Sequence, residues 1–278
     1  MDSGKKAAVA PRTIEVRTDD GVQLAVRVLR EGAAAARPVL FIHALAMDGR
    51  MWERVAAVLD VPGTLYAIDC RGHGASGRPP APFTTERFAR DAANVLDAVG
   101  APIAHLVGCS MGGTVALAFA GRFPGRLASL TAIDSTAWYG PEAAGAWEDR
   151  ARRGLADGLA SLVEFQVARW FSPGFAQANP DIVEQAVATF VRNDPECYAA
   201  ACRMLGTADE RGLLGAYAGP AAFVVGEDDY ATPPAMSREA AGFIAGARVT
   251  VLPGCRHYTP LEAPEQVGRC IAGVVSGG

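Results

Sequence analysis

The 278 residues, half of them hydrophobic, can bury a large core, and they fit one domain with an insertion better than two independent ones. A net charge of −4 argues against nucleic acid or an anionic membrane surface as principal partner, and a small-molecule substrate is expected instead. No run approaches the roughly 18 apolar residues of a membrane span, and residues 1–11 lack the apolar stretch of a secretory leader. A cytoplasmic protein is therefore expected, its six cysteines reduced thiols and not staples. Nothing in the residues sets an oligomeric state.

Residues Thr13 to Arg17 and Val22 to Leu29 alternate in polarity across Asp19-Asp20-Gly21, whose Asp-Gly step signals a hairpin. The apolar run Val39 to Ile42 predicts a buried strand leading into His43-Ala44-Leu45-Ala46. Met51 to Leu59 reads as a helix with Trp52, Val55, Ala56 and Leu59 on one face, and Thr64 to Ile68 as the next strand. A glycine-rich loop from Arg71 follows, with Arg71 expected to hold it to the sheet, and then a helix from Thr85 to Val99. Ile103 to Val107 and Leu127 to Ile133 are strands, separated by an alanine-rich helix.

From there the alternation stops. Residues 134–219 show helical periodicity without strand runs; then come the strand Ala221 to Val225, a helix from Pro234, the strand Arg248 to Leu252 and a closing helix from Ala263. The pattern predicts an α/β fold, a mostly parallel sheet flanked by helices. Residues 1–133 and 220–278 form its core domain, and residues 134–219 form a helical cap over the strands' carboxyl ends, where ligands bind in such sheets.

Gly108-Cys109-Ser110-Met111-Gly112-Gly113 ends one predicted strand and opens a helix. A serine flanked by glycines at −2 and +2 in that context is the nucleophile-elbow pattern. The turn is tight enough that side chains at −2 and +2 would collide, and it forces Ser110 into a strained conformation that exposes its hydroxyl. It also aims the first free N–H groups of the helix, Met111 included, at the place where an attacked carbonyl develops negative charge.

A serine hydroxyl needs a base, and the base needs a carboxylate that fixes its tautomer, in the chain order Ser, acid, His. Of the four histidines, His105 begins the elbow strand, His73 lies in the glycine-rich loop, and His43 ends a strand and shapes the loop after it. That leaves His257, in the loop after the last strand. The acid falls in Glu227-Asp228-Asp229, after the preceding strand. Asp229, next to the turn into the following helix, is preferred over Asp228, and the other acidic residues would cap that helix. The loop after the strand ending at His43 supplies a second oxyanion donor, the Leu45 N–H. This machinery calls for no cofactor and no metal.

These residues together, His43, Asp69-x-Arg71-Gly72-His73-Gly74-x-Ser76, the Ser110 elbow, Asp229 and His257, resemble the α/β-hydrolase family across nearly the whole chain. Within it the chain is most similar to the 3-oxoadipate enol-lactonases. The likeness runs through Met51-Trp52, Trp147-Glu148-Asp149-Arg150, the stretch from Arg169 to Phe175, Tyr198 to Cys202, and Asp229 to Pro234. It departs from them at His43-Ala44-Leu45-Ala46, where they carry an Asn-Ser-Leu-Gly type of loop, and at Tyr258-Thr259-Pro260, where they carry an asparagine. The resemblance implies that Ser110 opens a lactone carbonyl through an acyl-enzyme.

Residues 134–219 hold twelve acidic residues against seven arginines, so a dicarboxylate would be held by local arginines and not by long-range attraction. Arg150 and Arg169 are the candidates, with Trp138, Trp147, Trp170, Phe171 and Tyr258 as pocket walls. An esterase or C–C bond hydrolase of the same fold, a ligand-binding protein with little turnover, and cofactor-free oxygen chemistry remain as alternatives.

Overall fold

The computed structural model describes residues 12–277; the leader-free start read for residues 1–11 lies outside the described residues. The Asp-Gly signal joins β1 (Arg12–Arg17) to β2 (Gln23–Arg30) in an antiparallel hairpin, with Gly21 at φ +85° in the turn. The later strands run parallel to one another: β3 (Val39–Ile42), β4 (Leu65–Ile68), β5 (Ala104–Cys109), β6 (Leu127–Ile133), β7 (Ala221–Gly226) and β8 (Arg248–Leu252).

They form one sheet in the order β1-β2-β4-β3-β5-β6-β7-β8. The strands β3, β5, β6 and β7 are buried at every position, because helices cover both faces, and so they read as unbroken apolar runs. At the edge, β8 buries only Leu252 fully. The strand order reverses at β3, which pairs with β4 on one side and β5 on the other. The loops leaving β3 and β5 therefore diverge, and a crevice opens at the carboxyl end of the sheet.

The helices of the first half are α1 (Glu53–Val58), α2 (Thr85–Ala98) and α3 (Met111–Arg122). The expected helix from Met51 begins instead as a single 3-10 turn, Gly49–Trp52, because the Asp48 carboxylate accepts the Arg50 N–H at 3.0 Å and starts the turn early. Trp52, Val55, Ala56 and Leu59 are nonetheless all buried. Arg71 does not grip the sheet. Its guanidinium binds Asp91 on α2 at 2.6 and 2.7 Å and Asp20 of the hairpin turn at 2.9 and 3.1 Å, so the glycine-rich loop is tied to a helix and a turn.

Between β6 and β7 the chain runs through α4 (Ala143–Asp157), α5 (Val163–Trp170), α6 (Pro173–Ala178), α7 (Pro180–Val191) and α8 (Pro195–Thr207). The long helices α4 and α8 pack together, with Gly154 letting the Tyr198 ring approach. An aromatic cluster of Trp170, Phe190 and Tyr198 forms the inner side of this insert. The fold closes with α9 (Pro234–Gly242), α10 (Thr259–Glu262) and α11 (Pro264–Val275). The four-residue α10 is too short to show periodicity, and it separates the His257 loop from the closing helix, which starts at Pro264 after Ala263 as its cap. The six cysteines are unpaired. No helix of the described residues is long and apolar enough to cross a membrane.

Three histidines, His43, His73 and His105, are buried in this fold and do not line the cavity. Burial holds the His43 imidazole below its ordinary value, that of His73 down at about 3 and that of His105 at about 4. As pH falls through about 6.5, the unfolded chain takes up protons that these folded sites refuse, so their contribution to stability is lost on acidification. Replacing one of them removes part of that loss. Between pH 7 and pH 5, His105→Gln will lose about 1–2 kcal/mol less unfolding free energy than the native chain in urea titrations; equal losses would mean that His105 is not buried neutral.

Candidate active site

Ser110 joins β5 to α3 at φ +53° and ψ −117°, a backbone region that side chains other than glycine rarely occupy. The strain is held by three hydrogen bonds to the Ser110 backbone. The Ser110 N–H donates to Ile133 O at 2.8 Å, and its carbonyl accepts from the Ser135 hydroxyl at 2.9 Å and the Thr114 N–H at 3.0 Å. The flanking glycines are required, but for a different reason from a mutual clash of side chains. A Cβ on Gly108 would stand 2.1 Å from Gly112 O, whereas one on Gly112 would stand 2.1 Å from Ile42 O. Thus Gly112 is dictated by β3, against which the turn is pressed.

His257 stands between this serine and an acid. Its Nε2 lies 2.8 Å from Ser110 Oγ and its Nδ1 2.8 Å from Asp229 Oδ2. A carboxylate only accepts, so Nδ1 carries the proton and Nε2 is left to accept the serine hydroxyl. Of the three consecutive acidic residues only Asp229 turns inward; Glu227 and Asp228 are exposed. The two oxygens of Asp229 also accept the Ala231 N–H at 2.7 Å, the Thr232 N–H at 3.0 Å and the Thr232 hydroxyl at 2.9 Å. Burial works to raise the Asp229 carboxyl, but the His257 charge and these donors outweigh it and hold it below the usual carboxylate value.

Behind these residues sits one that the sequence reading passed over. Asp134, at φ +47° just after β6, is fully buried. Its Oδ1 accepts the Gly226 N–H at 3.0 Å, and its Oδ2 accepts the Thr259 N–H at 2.9 Å and hydroxyl at 2.7 Å. One carboxyl group therefore ties the start of the acid loop to the end of the histidine loop. Gly226 lets the two loops touch, since a Cβ there would lie 2.2 Å from Arg256 O. Burial first, and then the charge of Asp229, push the Asp134 carboxyl well above its ordinary value. Its signal in the sequence was slight: a charged residue directly after a fully apolar strand.

Ser110, His257 and Leu45 border a cavity of about 340 Å³ roofed by α4 and α5. The Leu45 N–H has no acceptor among the described residues, and Met111 is the first residue of α3, whose N–H no helical carbonyl can reach. Arg150, Arg169, Trp170, Tyr258 and Trp147 also line the cavity. Trp138 does not. It is turned away, bridged to Asp209 and covered by the Arg211 guanidinium 3.7 Å above its ring. Phe171 is likewise outside, stacked on Phe175 within the insert.

Neither Arg150 nor Arg169 has a carboxylate partner among the described residues. Arg150 Nε donates to the Tyr198 hydroxyl at 3.0 Å, and Arg169 donates to Tyr230 O at 3.0 Å. Their guanidinium groups lie 5.8 and 5.0 Å from the Phe165 ring centre. Burial, and next the charge of Arg150, hold the Arg169 guanidinium below its ordinary value. Two like charges thus share one side of a cavity whose lining also includes Arg153, Glu142 and Asp149, with neither of those carboxylates paired to Arg150 or Arg169.

A family model described as alpha/beta hydrolase fold matches residues 37–264. The 3-oxoadipate enol-lactonase 2 of Acinetobacter baylyi is 30% identical over 242 residues, covering 87% of this chain and 90% of that protein. The crystal structure of the enol-lactonase from Burkholderia xenovorans superposes with a TM-score of 0.89 at 27% identity, covering 95% of this chain and all of that one. A thermophilic esterase from Thermogutta terrifontis, solved with malate bound, gives 0.87 at 28% identity over 96% of this chain and 98% of its own.

Removing the Asp134 carboxyl strands the buried N–H groups of Gly226 and Thr259. Asp134→Ala should therefore lower the unfolding free energy by about 3 kcal/mol in denaturant titration, whereas a loss under about 1 kcal/mol would show that the two loops hold together without it.

Proposed function

The chain belongs to the α/β-hydrolase family, and on that premise we propose that it is a cofactor-independent serine hydrolase that opens a small carboxylated enol-lactone. The observation that carries this reading is the hydrogen-bonded line Ser110–His257–Asp229 opening on a cavity lined by Arg150 and Arg169, neither of which has a carboxylate partner among the described residues.

In this reaction Ser110 Oγ attacks the lactone carbonyl as its proton passes to His257 Nε2, and the Asp229 carboxylate stabilises the imidazolium. The oxyanion is received by the N–H groups of Leu45 and Met111, each donor contributing about 10²- to 10³-fold to turnover. Collapse of the tetrahedral intermediate breaks the ring C–O bond. The released enolate oxygen takes the proton from His257 and the enol relaxes to the ketone. Water, deprotonated by the same Nε2, then cleaves the ester and frees the oxoacid, returning the proton to Ser110. Residues 134–219 act as the cap that closes over this site.

Arg150 and Arg169 hold the substrate's free carboxylate. Arg150 is braced for that by Tyr198, which occupies its Nε and leaves the two terminal nitrogens for a fork of parallel hydrogen bonds. Tyr258 and Trp170, stacked at 5.0 Å, form a flat wall beside His257. The similarity to 3-oxoadipate enol-lactonases supports the lactone, and the malate in the related esterase supports a carboxylated ligand. That same esterase favours a second reading, a carboxylesterase for short acidic esters.

Ser110→Ala should lower kcat by about 10⁴-fold or more with the fold intact by circular dichroism, and unchanged turnover would end the proposal. Arg150→Gln and Arg169→Gln should each raise KM for a carboxylated enol-lactone about tenfold while sparing a neutral aryl ester of similar size. Equal effects on both substrates would remove these arginines from carboxylate binding. A panel of enol-lactones and acidic esters, compared by kcat/KM, separates the two readings.

A further inference from the structure

The Leu45 N–H is part of a peptide whose direction is set by a relay of hydrogen bonds that begins in the insert. Ala44 to Met47 form a β-turn closed by the Met47 N–H on Ala44 O at 3.0 Å. Ala46, the third residue of that turn, sits at φ +59°, the left-handed position that a type II turn requires and glycine usually fills. An alanine stays there only if its surroundings hold it.

Two groups do so. From the core side, His43 Nδ1 lies 2.8 Å from Ala44 O, while its Nε2 accepts the Cys70 N–H at 2.9 Å. Because Nε2 accepts, Nδ1 carries the proton and donates. From the insert side, Asn193 lies in the link between α7 and α8, and its Nδ2 donates to Ala46 O at 2.7 Å, a contact across 147 positions of chain. The same nitrogen reaches Thr189 O at 2.9 Å and Phe190 O at 3.1 Å. With the amide reversed, Oδ1 would face those three carbonyls, so its orientation is settled by repulsion. Asn193 Oδ1 is buried with no partner, a cost the molecule carries while the donor side is fully engaged.

In a trans peptide the C=O and N–H point in opposite directions, and among the described residues the cis bond is Ala81–Pro82, outside this loop. The Asn193 donor holds the Ala46 carbonyl; the N–H of that same peptide, on Met47, holds the Ala44 carbonyl; and the N–H of the Ala44 peptide is that of Leu45. Each bond in such a line polarises the next. We infer that Asn193 is a positioning residue for the oxyanion hole, fixing and polarising the Leu45 N–H through two peptide groups, with His43 bracing the same carbonyl from the core. The inference rests on the serine-hydrolase reading and deepens it: the insert helps to build the site that receives the developing charge. A shift of the link between α7 and α8 reaches the oxyanion donor directly.

Asn193→Leu keeps the volume and removes the donor, and Asn193→Ala serves if leucine prevents folding. Two probes separate positioning from general loosening: phenylboronic acid, which forms a tetrahedral adduct on an activated serine, and adipate, a dicarboxylate that occupies the cavity without one. Expected are falls of about tenfold in kcat and in boronate affinity together, with KM and adipate affinity unchanged. Unchanged kcat and boronate affinity overturn the inference, as does a parallel weakening of boronate and adipate. If the native enzyme binds no boronate and Ser110→Ala keeps full turnover, the hydrolase reading fails and takes the relay with it.

Discussion

Two hydrogen bonds of 2.8 Å, from Ser110 to His257 and from His257 to Asp229, are the constraint that the rest of the structure serves. They join loops that follow β5, β7 and β8, strands whose order in the sheet is set by pairing alone. Parallel pairing puts the ends of all three strands on the same side, but it does not place their loops to within a few tenths of an ångström. That last step is made by groups that bind backbone. Asp134 fastens the acid loop to the histidine loop, the Ser135 hydroxyl and Ile133 carbonyl hold the strained serine, and Gly112 and Gly226 remove the Cβ atoms that would force the segments apart.

The electrostatics follow from the same packing. Two carboxyl groups, Asp134 and Asp229, are buried near each other, and both cannot be charged cheaply. Asp229 faces a histidine and three other donors and keeps the charge. Asp134, facing only neutral donors, is pushed toward its neutral form. The carboxylate at 229, which only accepts, leaves the His257 ring with one defined tautomer. On the opposite side of the cavity the balance is reversed, with Arg150 and Arg169 held together by aromatic rings and lacking an anion of their own.

Much of this was legible in the residues. The strands β3, β5, β6 and β7 announced themselves because burial on both faces leaves no polar position. Ser110 was readable because its turn tolerates only glycine at two places, and His257 because the other histidines lay on the wrong elements. The choice of Asp229 over Asp228 could be preferred on position, yet it depends on which side chain turns inward, a matter decided by the Ala231 and Thr232 N–H groups. Other features were out of reach for stated reasons. Trp138 is excluded from the cavity by its contact with Arg211, a pairing that no periodicity reveals. Asp134 and Asn193 work on backbone groups 92 to 147 positions away, and such contacts leave no local pattern in a sequence.

The central claim is that this geometry makes one serine of the chain a nucleophile. The most direct measurement is labelling with a fluorophosphonate, followed by peptide mass spectrometry. One equivalent per chain, carried by the peptide containing Ser110 and blocked by prior addition of phenylboronic acid, is the result the account predicts. No labelling, or labelling on another serine with Ser110 unmodified, would contradict it.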